Sequence, residues 1–398
     1  MSSQTLPVGS IIGHMLRFLT AGESHGPGLV TIVEGLPAGL DFGRAGLAAE
    51  LARRRLGYGR GRRMQLEQDK LELLGGVRFG KTLGSPVSVL VRNTEWAKWE
   101  SEMSPEPGGE ARRTLTAPRP GHADLAGMQK YDTHDARDIL ERASARETAA
   151  RTVAGYAAKQ LLSVVGVDIV SHVVAIGEVA AEGKTLPMID DLDAIDASPV
   201  RAFGADTEAA MIDEIERAKA DRDTLGGVVE VVAHGLPVGL GSHVHWDRRL
   251  DARIAAALMS IQAIKAVEVG DGLATARRRG SVAHDEIYHE DGSFSRRTLR
   301  AGGIEGGMSM GGPIRVRAAM KPISTVMKPL DTVDVESKTA EKAFRERSDV
   351  CAVPAAGVVA EQMVSIVLAQ EVQRKFGGDT ATDLTASVAA YAKRIAAF

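Results

Sequence analysis

Apolar and polar positions fall in short blocks closed by glycine or proline, and each block reads as a strand or helix followed by a turn. Residues 16–19 and 30–34 read as strands. The second runs into Gly35-Leu36-Pro37-Ala38-Gly39-Leu40, a turn, and then an Ala/Leu/Arg-rich helix ending near Arg55. The succession recurs later: residues 228–233 are strand-like, Gly235-Leu236-Pro237-Val238-Gly239-Leu240 is the turn, and a helix follows from about 247 to 265. Downstream of each copy lies one glycine frame, Gly75-Gly76, Gly80, Gly84 and Pro86 in the first, and Gly302-Gly303, Gly307, Gly311 and Pro313 in the second. Strands over 87–91 and 314–317 follow. Matching order and spacing predict an internal duplication, with pseudo-repeats over about 15–165 and 225–376 inside a single domain 15–398.

Three further helices are expected. Residues 144–164 open with Ser144-Ala145-Arg146-Glu147, a capping-box pattern, and carry an apolar stripe of Ala149, Val153, Tyr156, Ala157, Leu161 and Val164. Residues 355–376 form another, stopped by Gly377-Gly378, and residues 207–220 a charged, solvent-facing one. The acidic, aperiodic stretch 178–199 reads as a surface excursion and a candidate linker. Residues 1–14 read as an N-terminal extension expected to be poorly ordered.

Composition narrows the class. Apolar residues make up 44% and no apolar run reaches the ~18 needed to span a membrane, the run 350–360 being stopped by Glu361. The first twenty residues show neither a signal-peptide nor a transit pattern, so a cytoplasmic protein is expected. One cysteine, Cys351, excludes an intrachain disulfide framework or a multi-cysteine metal site. A net charge of −3 and 4% aromatics argue against a general nucleic-acid binder. Six arginines at 53, 54, 55, 60, 62 and 63 nevertheless crowd one segment, interleaved by Gly57, Gly59 and Gly61. Glycines there allow tight turns that aim several guanidinium forks at one phosphate or carboxylate.

Several short segments could carry acid–base chemistry. Gly22-Glu23-Ser24-His25-Gly26 and Arg119-Pro120-Gly121-His122-Ala123-Asp124 each present a histidine in a turn, and histidine titrates near neutral pH. Asp349 precedes a helix entrance. Taken singly, each would also serve as a capped turn or a salt-bridged loop. His243, His245 and Asp247 are a candidate metal set, but no further ligands at metal-site spacing accompany them. The G-x-G-x-G run lacks the dinucleotide fingerprint, and neither a P-loop nor a nucleophile elbow is present.

Taken in order, seven segments cease to be independent: GESHG from Gly22, RRRLGYGRGRRM from Arg53, RPGHAD from Arg119, ERASARET from Glu141, GGIEGGMS from Gly302, KPIST from Lys321 and RSDVCAVPAAG from Arg347. Together they resemble the chorismate synthase family over roughly residues 15–376. The resemblance implies an α+β fold, a sandwich with helices between two sheets, usually assembled as a homotetramer. It implies a lyase acting on 5-enolpyruvylshikimate 3-phosphate with reduced FMN as cofactor and no net redox change, at the last step of the shikimate pathway. His25 would donate a proton to the departing phosphate with Ser24 beside it, and His122 would protonate or hydrogen-bond the flavin. Asp349, with Ser24 and Ser144, would assist proton removal. Arg54, Arg60, Arg119 and Arg347 would hold the phosphate and carboxylates.

Flavin-lining positions implied by the same resemblance are Ala143, Ser144, Ala145, Gln262, Ala263, Gly306, Gly307, Lys321, Pro322, Ile323, Ser324, Thr325 and Arg347. Met310 stands where the family usually has asparagine, and Gln262 where proline or asparagine is common. No added reductase domain is visible, so a separate flavin reductase is the expected source of FMNH2, with no metal, nucleic acid or membrane partner. Two other readings remain beside this one: a non-catalytic anion- or RNA-binding protein, and an FMN-dependent oxidoreductase that would turn over NADP-type nucleotides.

Overall fold

A computed structural model describes residues 15–60, 70–109, 111–112, 114–181, 185–290, 292–344 and 349–398. The expectations for residues 1–14, for Gly61, Arg62 and Arg63 of the arginine cluster, and for Arg347 lie outside these. Two strand series follow one another along the chain. The first comprises β1 (Arg17–Ala21), β2 (Gly28–Glu34), helix α1 (Arg44–Arg55), β3 (Lys70–Gly75), β4 (Val87–Arg92), helices α2 (Asp124–Tyr131) and α3 (Arg137–Ala143), and helix α4 (Thr148–Ser163). The second comprises β5 (Asp168–Ile176), the short edge strand β6 (Val179–Ala180), α5 (Ala205–Ala220), β7 (Gly227–His234), α6 (Leu250–Met259), β8 (Ile264–Val269), β9 (Ile314–Met320) and α7 (Val353–Phe376). Helix α8 (Ala381–Ala396) closes the chain.

Each series makes its own antiparallel sheet, ordered β1-β2-β4-β3 and β5-β7-β9-β8, with β6 added beside β5. In both, the strands lie in the order first, second, fourth, third. The glycine-frame turns also match bond for bond. The Thr82 hydroxyl accepts from Leu40 N at 2.9 Å and donates to Pro37 O at 2.6 Å. The Ser309 hydroxyl accepts from Leu240 N at 2.9 Å and donates to Pro237 O at 2.6 Å. Gly35 and Gly235 take φ of +85° and +74°, which a side chain would resist, and a Cβ on Gly235 would lie 2.0 Å from Gly166 O.

Helices fill the space between the sheets. α4 packs on β1 and β2, α7 on β5 and β7, and the two helices on each other, with α1 and α6 alongside. α7 is long and apolar enough to cross a membrane by length and composition, but 94% of its apolar window is buried in this fold. Burial on every side explains why it shows no single apolar stripe.

Three sequence expectations shift. β5, which opens the second series upstream of residue 225, escaped prediction because DIVSHVVAI is buried on both faces at its centre and does not alternate. The helix expected over 247–265 shortens to Leu250–Met259, with a 3-10 turn before it and β8 beginning at Ile264. The stretch 178–199 is no linker: it holds β6 and a short helix, Leu192–Ala197, whose Ile195 is buried in the core.

Candidate active site

The site is built around the start of α4. Ser144 leaves α3 in an extended conformation (φ −60°, ψ 141°) and its Oγ accepts from Arg146 N at 3.3 Å, capping a 3-10 turn Ala145–Glu147. The expected capping box does not form. Glu147 does not reach back, because its carboxylate is taken by Thr20 Oγ1 (2.9 Å), Arg151 Nε (2.7 Å) and Gln262 Nε2 (3.3 Å). Ser24 comes from the β1–β2 turn and meets Ser144, hydroxyl to hydroxyl at 3.2 Å. Arg54, in the last turn of α1, is buried and points Nη1 at Thr148 Oγ1, 3.5 Å away. A guanidinium and two serine hydroxyls thus meet at the start of α4, side-chain types that suit an anion.

His25 is anchored beside them. Glu141 of α3 accepts its main-chain N–H on Oε2 at 2.7 Å and pairs with its ring Nδ1 through Oε1 at 2.8 Å. Trp99 covers the imidazole, with ring centroids 3.9 Å apart and 32° between planes. Burial works to raise the Glu141 carboxyl, but hydrogen bonds from His25 and Arg137 outweigh it and hold the group below its ordinary range.

The second histidine sits in a charged knot. Asp124, at the first position of α2, is fully buried and takes His122 Nδ1, Arg119 Nε (2.9 Å) and Arg119 N (3.1 Å). Burial would raise this carboxyl too, yet His122 and Arg119 hold it at about 2. Arg119 also donates to Thr325 Oγ1 at 3.2 Å and lies over the Phe344 ring at 4.6 Å.

From these anchors a ring of contacts closes. Gln262 touches Glu147, the Ala263 carbonyl accepts from Lys321 N at 3.0 Å, and Lys321 Nζ bonds Gly121 O. Ile323 O accepts from Thr224 Oγ1 at 2.8 Å, Leu225 N donates to Val350 O at 2.9 Å, and Val350 N donates to Gly59 O at 2.8 Å. There Arg60 Nη1 meets Asp349 Oδ2 at 3.0 Å. Cys351, next along, is buried, and burial pushes its thiol up to about 11, so it is not a nucleophile.

The structure therefore brings together Ser24, His25, Arg54, Arg60, Arg119, His122, Ser144, Ala145, Gln262, Ala263, Lys321, Ile323, Thr325 and Asp349, with Ala143, Pro322 and Ser324 adjoining in sequence. Gly306 and Gly307 lie at the opposite end of α6 from Gln262. Gly307 O accepts from Leu250 N at the start of α6, while Gln262 follows its end, a helix of about 15 Å away. Met310 N donates to Gly303 O at 3.1 Å, as Leu83 N does to Gly76 O at 3.1 Å. His245 bonds Asp247 at 2.7 Å on the exposed surface, and among the described residues no group of three metal-type side chains gathers. Reasoning from sequence gives no role to Glu141 or Trp99, and for Asp124 offers only the salt-bridged loop that forms here. The signal for Glu141 was present, since Arg137 lies four residues before it on one helix face.

Fold and site define an α+β protein with arginines, serine hydroxyls and two carboxylate-held histidines gathered between its elements. Its residues 16–373 match the chorismate synthase family model. The chorismate synthase of Acidothermus cellulolyticus is 60% identical over 385 residues, covering 95% of this chain and 98% of that protein. That of Thermobifida fusca is 58% identical over 385 residues, again 95% and 98%. A chorismate synthase crystal structure superposes with a TM-score of 0.79 at 40% identity, covering 97% of this chain and 99% of the other. The chain belongs to the chorismate synthase family.

Proposed function

We propose that this chain converts 5-enolpyruvylshikimate 3-phosphate to chorismate, a carbon–oxygen lyase reaction that requires reduced FMN. The convergence of Arg54, Arg60, Arg119, Ser24, Ser144 and two histidines on one ring of contacts, in a member of this family, carries the reading. In the elimination the C3–O bond breaks and its electron pair leaves with phosphate. The C6–H bond breaks, the proton leaves and its electron pair forms a C1–C6 double bond, while the existing ring double bond shifts to C2–C3. No net oxidation results.

The substrate brings a phosphate and two carboxylates, which Arg54, Arg60, Arg119 and Arg347 would neutralise in a partly dry site. His25, backed by Glu141, supplies a proton to the leaving phosphate oxygen, and Ser24 and Ser144 orient it. Asp349, paired with Arg60, assists removal of the C6 proton. The site also fits the flavin: Gln262 Oε1 is buried without a hydrogen-bond partner, an acceptor that a ring N–H would match. Ala143–Ala145, Gln262, Ala263 and Lys321–Thr325 would hold it, with Gly306, Gly307 and Arg347 on the family pattern, and His122 would hydrogen-bond it. When bound, reduced FMN supplies electron density to the allylic system and is returned unchanged. A separate reductase as the source of reduced flavin, a homotetrameric assembly and a cytoplasmic location belong to the same proposal.

The test is anaerobic phosphate release and chorismate absorbance with FMN reduced and, in parallel, oxidised. Turnover only with reduced FMN is expected; equal turnover in both, or none in either with flavin bound, rejects the reading.

A further inference from the structure

Glu141 has contacts that its own burial does not require. Its side chain is 2% exposed, and a buried carboxylate needs a partner, but Arg137 Nη1 at 3.0 Å already provides one. The same carboxylate nevertheless grips His25 twice, through the main-chain N–H and through the ring. Two bonds from one group leave the imidazole little freedom about its side-chain torsions. Because a carboxylate accepts, the bonded Nδ1 carries a proton, and Nε2 is left as the atom that exchanges one with a ligand. Trp99 stacks on the ring at 3.9 Å and limits its rotation. Arg137 in turn braces both supports, bonding Glu141 and lying 5.1 Å from the Trp99 ring.

We propose that Glu141 is a positioning residue that sets the tautomer and orientation of His25, with Trp99 as the wall against which the ring is held. The inference rests on the reading of His25 as the proton donor. Other charged groups around it among the described residues are Glu23 of its own turn, Arg137, and Arg142, whose Nη1 bonds Gly22 O at 3.0 Å. Glu141 bonds the ring directly, at 2.8 Å. Glu141 does not touch substrate in this scheme. It acts through His25, so its effect must vanish when the imidazole is absent.

A double-mutant cycle tests this on the full chain under the anaerobic assay, with His25→Ala, Glu141→Gln and the pair. Glu141→Gln is expected to lower kcat by about 10–100-fold, the usual cost of losing a supporting contact. KM should stay within about twofold, since ground-state binding is untouched. The pair should be no slower than His25→Ala alone. Multiplicative losses in the pair, a change confined to KM, or wild-type kcat in Glu141→Gln would overturn the inference while His25 keeps its role. Wild-type turnover in His25→Ala would overturn both. Should Glu141→Gln not fold, Glu141→Asp runs the same cycle, keeping charge for Arg137 while withdrawing the oxygen from the ring; coupling is again expected and additivity rejects it. Should the wild-type chain release no phosphate, Trp99 emission in a Trp96→Phe, Trp246→Phe background reads the stack directly. Removing Glu141 is then expected to relieve quenching by the imidazole, and unchanged emission rejects the inference.

Discussion

Asp124 shows how one buried group can organise a loop. Its carboxylate is held at about 2 by His122 and Arg119 against the upward pull of burial. A folded value below the ordinary ~3.9 means that its contribution is complete above about pH 4 and is lost as pH falls towards the folded value. Asp124→Asn should therefore lower the thermal midpoint at pH 6, and the gap from wild type should narrow between about pH 4 and 2. A gap that is constant over that range would show that the ionised form is not what stabilises the loop. The loop carries Arg119 and His122, so the variant should also weaken phosphate release.

At the scale of elements, the two glycine-frame turns are one device used twice. Thr82 and Ser309 each satisfy a buried N–H and a carbonyl, of Pro37 and Pro237, the first buried and the second half-buried. Removing either hydroxyl leaves both groups unsatisfied, at about 1–3 kcal/mol. Thr82→Ala and Ser309→Ala should each lower the denaturation free energy by that amount, whereas Thr82→Ser and Ser309→Thr, which keep the hydroxyl, should restore most of it. Equal stability of the alanine and hydroxyl variants in denaturant titration would rule out this role.

Across the whole molecule, the two sandwich halves meet at a buried ionic cluster. Glu361 of α7 is wholly buried and bonds Arg53 of α1 (2.8 and 3.1 Å), Ser171 of β5 (2.7 Å) and Lys159 of α4. Burial opposes its charge, but Arg53 and Lys159 hold the carboxyl well below the usual range. Burial in the same cluster pushes the Arg201 guanidinium down to about 10, although Glu361 draws it back up. Replacing Glu361 with alanine would leave Arg53 and Lys159 with Glu50, and Arg53 and Arg201 with Asp196, but would remove the cluster's wholly buried carboxylate; it should cost about 3 kcal/mol, read as a fall in the unfolding midpoint at fixed protein concentration. Arg53 adjoins Arg54, so residual folded variant should also bind the substrate phosphate less tightly.

Local chemistry was legible in the chain. GLPAGL and GLPVGL announced turns because glycine alone tolerates the left-handed φ at positions 35 and 235, and the repeated frames pointed to two like series. The motif residues around His25, His122, Arg60 and Asp349 were legible as chemical types. Tertiary structure decided the rest. It placed β5, whose doubly buried centre leaves no alternation to read. It also paired Glu141 with His25 across 116 residues and Glu361 with Arg53 across 308. Such pairs leave no periodic trace, since the desolvation and packing that make them necessary exist only once distant segments are folded together.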